Sequence, residues 1–192
     1  MTKHDKGEKI EIPFKFKANI FFTFNNEVNL LDYYHNSSWL KNGGTPERYI
    51  KNSFTYAIDK YIKSKNLYNK SEKRITFDDI RDSLIIISDT YSTISLYTDQ
   101  AKKEMQSDTV QEYMTQYLKD QLAILFIENP MEADKIINQI LINKRAREKA
   151  NRIRTEEKKK AKTQIRKPVG KLTDCTSHNP EENEIYLTEG RH

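Results

Sequence analysis

Two short stretches carry residue types that can do chemistry at their spacing. The first is Gln100-Ala101-Lys102-Lys103, set in a polar segment with no helical or strand period. Two residues apart at a loop tip, Gln100 and Lys102 can reach one anion together. The lysine acts as a point charge and the amide as a donor. The second stretch is Glu184-Ile185-Tyr186-Leu187-Thr188, a short strand that runs into Glu189-Gly190. A carboxylate directly after a strand stands on the rim of a sheet. There it can bind Mg2+ or move a proton, or it can simply cap the strand end.

Charge supplies a third feature. Between Lys144 and Lys171 there are thirteen Lys and Arg against three Asp and Glu, a local net of +10 in a chain whose total is +5. The remainder is therefore mildly acidic, and one segment carries the basic character. That asymmetry points to a polyanion contact along the segment, against the plainer reading of a solvated helix.

Other chemistry is poorly represented. No G-x-S-x-G, P-loop, G-x-G-x-x-G or H-E-x-x-H motif occurs. His4, His35, His178 and His192 fall in segments expected to be irregular and lack ligand spacing; His35 reads as a loop contact. The single Cys175 excludes a disulfide framework and a Cys-rich zinc site. No apolar run approaches the roughly 20 residues that span a membrane. The polar N-terminus is not a secretory signal, which leaves the cytoplasm as the expected compartment. Only 5 Gly argue against a large Gly-rich nucleotide-binding domain. The chain is polar, 36% apolar and 32% charged, but 11 Tyr and 8 Phe allow a core.

The elements that must position these residues follow from periodicity. Residues 1–9 are polar and expected to fray. Apolar residues alternate from Ile10 to Phe24, a strand pattern that Pro13 confines to an edge or interrupts. Val28 to Leu31 reads as a short strand and His35 to Asn42 as irregular. Gly43-Gly44-Thr45-Pro46 starts a helix, with Thr45 as N-cap and Pro46 in the first turn. Ile50, Phe54, Ala57, Ile58, Tyr61 and Ile62 carry that helix to about Lys65. A polar loop follows, then a capping-box start at Thr76-Phe77-Asp78-Asp79. Leu84 to Ser88 is a buried strand, and 89–107 a long polar loop. Asp108 with Gln111 opens a helix bearing Val110, Met114, Tyr117, Leu118, Leu122 and Leu125. Asn129-Pro130 breaks it. The next helix thins in apolar content after Leu141 and runs to about Lys162.

In order, these pieces are a strand, the G-G-T helix, D-D-I-R-D-S-L, Q-x-K, E-N-P, A-R-E-K-A-N-R-I-R, G-K-L-x-D-C and E-I-Y-L-T-E-G. Their order and spacing, from about Ile10 to Gly190, resemble the B subunit of bacterial type IIA topoisomerases, DNA gyrase or topoisomerase IV. The resemblance implies an α+β fold. Residues 1–143 would be a transducer domain similar to ribosomal protein S5 domain 2, incomplete at its N-terminus. Residues 144–166 would be a basic linker helix, and 167–192 the truncated start of a TOPRIM domain.

The resemblance also implies roles. Gln100 and Lys102 match a Q-T-K loop that contacts the γ-phosphate of ATP, with Ala101 in place of Thr. Glu189 matches the catalytic TOPRIM glutamate that helps hold Mg2+. The basic helix, with Lys144, Arg145, Arg147, Lys149, Arg152, Arg154, Lys158, Lys159 and Lys160, would face double-stranded DNA. Partners would be a topoisomerase A subunit and a second B subunit, with no membrane. After Glu189-Gly190 the family continues Asp-Ser-Ala, whereas this chain reads Arg191-His192. By the resemblance, the later D-x-D ligands and the ATPase domain would lie outside this chain. The expectation is an internal fragment that couples ATP binding to a DNA gate in its parent and is inactive alone. Two alternatives are a stand-alone DNA-binding module acting through 144–171 and an interaction protein whose basic helix pairs with an acidic partner.

Overall fold

The computed structural model describes residues 2–5, 8–11, 14–94, 96–165, 179 and 181. The expected strand at 184–188, Cys175, Glu189 and the 167–190 motifs lie outside the described residues. The chain divides into two units, Met1–Arg147 and Glu148–His192. The elements below belong to the first, apart from the helix that runs on into the second.

Strands β1 (Thr2–Asp5) and β2 (Glu8–Glu11) pair antiparallel, where the polar sequence led us to expect a frayed end. Pro13 falls between β2 and β3 (Phe16–Phe24), so the alternating run is interrupted rather than continuous. Strand β4 spans Leu30–His35 and β5 Ser38–Trp39. This corrects both the expected strand at 28–31 and the irregular segment from His35. Asn36 and Ser37, at φ 44° and 64°, make the two-residue turn between them. Both central residues have positive φ, the geometry that matches strand twist in tight hairpins. Without a glycine, the turn had no clear signature.

Helix α1 covers Thr45–Ser64, and α2 covers Phe77–Arg81. Strand β6, Leu84–Ser92, is four residues longer than its apolar content implied. It is central in the order β3-β6-β4-β5, antiparallel to β3 and parallel to β4. The β4-to-β6 crossover therefore carries β5, α1 and α2. Ser88 and Thr90 are polar yet buried, with their hydroxyls satisfied. Ser88 meets the Tyr49 hydroxyl at 3.1 Å, and Thr90 donates to the Tyr34 carbonyl at 2.8 Å.

One sheet face packs on α1. Phe22 meets Phe54 edge to face at 5.1 Å, and Leu84 and Ile86 join the same core. The other face leaves Phe21 and Ile87 exposed. Helix α3 (Asp108–Glu128) lies on α1, where Ser53 donates to the Thr115 carbonyl and Tyr61 packs on Phe126. Its N-cap is Ser107, whose hydroxyl accepts from Val110 N–H, one residue earlier than expected. Val110, Met114, Leu118, Leu122 and Phe126 form its buried stripe; Tyr117 and Leu125 are exposed. Helix α4 (Pro130–Ile165) begins at the expected break and buries Ala133, Ile137, Ile140 and Leu141.

Candidate functional site

Gln100 and Lys102 stand at the tip of an ordered hairpin, not in a structureless loop. Tyr97 and Met105 form an antiparallel bridge. Thr98 N–H donates to the Glu104 carbonyl at 3.1 Å, and Gln106 N–H to the Leu96 carbonyl at 2.8 Å. Between these arms, Asp99 to Lys102 make a four-residue turn, in which Lys102 N–H points at the Asp99 carbonyl at 3.4 Å. Lys102 adopts φ 56°, a left-handed conformation that a lysine holds only when its surroundings enforce it. Gln100, Ala101 and Lys102 are all exposed. The Lys102 ammonium lies 5.5 Å from the centre of the Tyr97 ring.

The hairpin is anchored at both ends of its base. On one side it joins the start of α1: Asn42 N–H donates to the Lys103 carbonyl at 2.9 Å and Thr45 N–H to the Met105 carbonyl at 2.8 Å. The G-G-T motif is explained by this contact. Gly44, at φ 89°, is the N-cap, and a Cβ there would stand 2.2 Å from the Met105 carbonyl oxygen. Thr45 is not the cap expected from sequence. Its hydroxyl instead accepts from Ser107 N–H at 2.9 Å, tying the helix to the far end of the hairpin. Gly44→Ala is expected to cost about 1–3 kcal/mol through backbone strain and to displace the Gln100–Lys102 tip. A lowered Tm together with faster amide exchange at Thr45 and Gln106 checks it; an unchanged Tm contradicts it.

On the other side, the Tyr97 hydroxyl donates to the His35 carbonyl, and the two rings meet edge to face at 5.2 Å. The His35 ring is buried between Thr90 Oγ1 at 3.1 Å and Ser92 Oγ at 3.2 Å. Burial pushes its pKa below the usual 6.5, and the Asp89 charge opposes the shift. His35 is thus a structural residue at the end of β4 that supports the hairpin through Tyr97, rather than part of an irregular segment.

The basic candidates separate into two groups. Lys144, Arg145 and Arg147 turn back onto unit 1. The Lys144 side chain is 1% exposed, with its ammonium 3.0 Å from Glu72 Oε1. Arg145 grips the same carboxylate with its fork, Nε to Oε1 at 3.2 Å and Nη2 to Oε2 at 3.0 Å. Asn69 N–H also donates to Glu72 Oε2 at 2.8 Å. Burial alone would raise the Glu72 carboxyl. Hydrogen bonds from Arg145, Asn69 N–H and Lys144, with the Lys144 charge, instead hold it down to about 2. Arg147 lies 2.7 Å from Asp79 Oδ1 and donates to Thr76 Oγ1 at 3.0 Å. Asp79 Oδ2 in turn accepts from Thr76 N–H at 2.8 Å, the capping contact expected at the start of α2. All three cations are engaged by carboxylates of the fold; Lys144 is enclosed, while Arg145 and Arg147 keep part of their surface exposed. In contrast, Lys149, Arg152, Arg154, Lys158, Lys159 and Lys160 are exposed along α4. Arg152 pairs with Glu156 at 3.0 Å on the surface.

Glu72 had no signal in the sequence, because it sits in a polar loop without a motif. Asp79 was visible only as a capping residue. Among the described residues, no three His, Cys, Asp or Glu side chains come together as a metal site, and no helix is long and apolar enough to cross a membrane.

The family model for DNA gyrase B matches residues 2–156. The chain belongs to the DNA gyrase B family. It is 34% identical over 162 residues to the DNA gyrase B subunit of Campylobacter jejuni, covering 84% of this chain and 21% of that protein. It is 27% identical over 187 residues to the DNA gyrase B subunit of Mycobacterium tuberculosis, covering 96% of this chain and 26% of that protein. The chain thus spans about a fifth to a quarter of the length of these relatives. Two solved structures share its fold. One is the ATP-binding domain of Francisella tularensis topoisomerase IV in complex with a small-molecule inhibitor: TM-score 0.61, 23% identity, 69% of this chain and 36% of that one. The other is the 43K ATPase domain of Thermus thermophilus gyrase B in complex with an aminocoumarin: TM-score 0.62, 19% identity, 73% of this chain and 38% of that one.

Proposed function

We propose that the chain is the coupling segment of an ATP-dependent type II topoisomerase B subunit. Residues 1–143 serve as the transducer domain, 144–166 as a basic linker helix and 167–192 as the start of a TOPRIM domain. The parent protein works with a second copy of itself and an A subunit on double-stranded DNA. The observation that carries this reading is the braced hairpin of a gyrase B family chain, which holds Gln100 and Lys102 outward on a fixed turn.

A phosphate that reaches the tip from a neighbouring ATPase domain meets one cation and one amide donor. The turn that carries both is braced before the ligand arrives, so the backbone needs little reorganisation when charge builds on the transferring phosphoryl group. ATP supplies that group; this chain supplies Lys102 as the stabilising charge and Gln100 as the orienting donor. The fit is chemical: the Lys102 ammonium and the Gln100 amide N–H can both donate to one anion. Glu189 and the Mg2+ it would help hold lie outside the described residues, so that part rests on the sequence resemblance.

The exposed run from Lys149 to Lys160 is the DNA-facing surface in this reading. It also supports the alternative of a stand-alone DNA-binding module. If four of its cations meet phosphates, log affinity falls with log salt at a slope of about −3.6. Fluorescence anisotropy of chain 1–192 on duplex DNA, from about 50 to 200 mM salt, reads that slope. Joint replacement of Lys158, Lys159 and Lys160 by alanine is expected to flatten it by about 1 per lost contact. A slope near zero contradicts a DNA-facing α4.

A further inference from the structure

Helix α4 is held in unit 1 by two kinds of contact in succession. Up to Leu141 it buries apolar side chains. Over the next two turns the contact becomes ionic: Lys144 and Arg145 on Glu72, and Arg147 on Asp79. Unit 1 ends at Arg147, and the exposed basic run begins within two residues. Both carboxylates are nearly enclosed, with side-chain exposures of 6% and 1%. They come from one short segment, the loop before α2 and the first turn of α2 itself.

A buried ion pair is a poor way to gain stability, because desolvating the charges offsets much of their attraction. It is a good way to select one geometry, because the fork of Arg145 and the point charge of Lys144 satisfy Glu72 in only one arrangement. An apolar contact at the same place would tolerate a helix rotated or slid by a fraction of a turn. Arg145 and Arg147 remain 42% and 33% exposed, so their outer faces stay hydrated, and the contact can be remade rather than only broken.

We propose that Glu72 and Asp79, with Lys144, Arg145 and Arg147, form a joint that fixes the register of α4 on unit 1. Through that register they set how tightly ATP turnover is coupled to movement of DNA. They are positioning residues and touch neither nucleotide nor DNA. The inference rests on the coupling role proposed above.

The test uses a full-length B subunit carrying this sequence, reconstituted with its A subunit. Two quantities are read: ATP turnover of the B subunit alone, and linking-number change per ATP hydrolysed in the complex. The double variant Glu72→Leu/Lys144→Met replaces the buried pair with apolar groups of similar size, an exchange that commonly preserves stability. We expect ATP turnover of the B subunit within twofold of wild type and a fall of at least tenfold in linking-number change per ATP. A double variant that folds with an unchanged ratio overturns the joint. If it does not fold, Arg145→Gln is the second variant, because Lys144 still faces Glu72 there. It is expected to lower the ratio at least threefold, and an unchanged ratio again overturns the proposal. Failure of the coupling role itself is seen separately, as a wild-type complex in which ATP produces no linking-number change.

Discussion

Replacing Lys102 by alanine is expected to lower ATP turnover in the full-length B subunit by about 100- to 1000-fold, the usual loss when one preorganised group that stabilises developing charge is removed. The effect should fall mainly on kcat. The ammonium acts on charge that grows in the transition state, and most nucleotide binding lies in the neighbouring domain of the proposed parent. Folding should be untouched, because Lys102 is exposed at a hairpin tip. The brace beneath it consists of backbone bonds at Tyr97, Thr98, Met105 and Gln106, together with the Tyr97–His35 contact. Lys102→Arg keeps the charge but moves it, and is expected to recover only part of the loss. Steady-state ATP hydrolysis with matched thermal melts checks both variants. Wild-type kcat in Lys102→Ala would remove the residue from phosphoryl transfer.

Replacing Glu72 by alanine is expected to destabilise unit 1 by about 3–5 kcal/mol, the cost of leaving a buried charge without its partner. The orphan is Lys144, whose side chain is 1% exposed. The same carboxylate makes stability depend on acid. Its pKa is held at about 2 in the fold, below its ordinary 4.5. A depressed carboxyl contributes stability that is fully present above the unfolded value and is lost as the proton is taken up. Stability should therefore decline as pH falls from about 4.5 toward 2. In Glu72→Gln that part of the acid dependence should vanish, although the variant starts from lower stability. Urea melts at several pH values separate the two effects. Equal acid sensitivity in wild type and Glu72→Gln would show that the pair does not control this region.

How much of this was legible in the sequence depends on what each residue's role required. Helices α1, α3 and α4 were readable because their apolar residues recur at helical spacing and their breaks are marked by Pro46, Pro130 and capping residues. Strand β6 was half visible. Leu84 to Ile87 announces a buried strand, but the strand runs on to Ser92, with Thr90 and Ser92 satisfied by bonds into the fold. Local hydropathy cannot see hydrogen bonds made to Tyr34, His35 and Asn36 more than fifty positions away. The same limit hid the hairpin at Asn36-Ser37, which lacks a glycine.

The candidate site shows the same division. Gln100 and Lys102 stood out as a spaced pair, but nothing local to Gly44 reveals that it admits Met105 beneath them. In the sequence the basic segment reads as one surface, because charge can be counted without knowing where it points. In the fold, Lys144, Arg145 and Arg147 meet Glu72 and Asp79, while Lys149, Arg152, Arg154, Lys158, Lys159 and Lys160 lie exposed along α4. Only long-range pairing could separate the two groups, and a count of charges carries no such information.

In the proposed assembly Lys102 touches the terminal phosphate of ATP. An acyl-phosphate derivative of ATP tests it directly. A lysine amine in contact with the phosphates attacks the acyl carbon, an amide forms, the bond from that carbon to the γ-phosphate oxygen breaks, and ATP leaves. Peptide mass spectrometry of the full-length B subunit should then find Lys102 acylated and protected by excess ATP, while Lys103 and the α4 lysines stay at background. Labelling of other phosphate-site lysines with Lys102 unmodified would contradict the account.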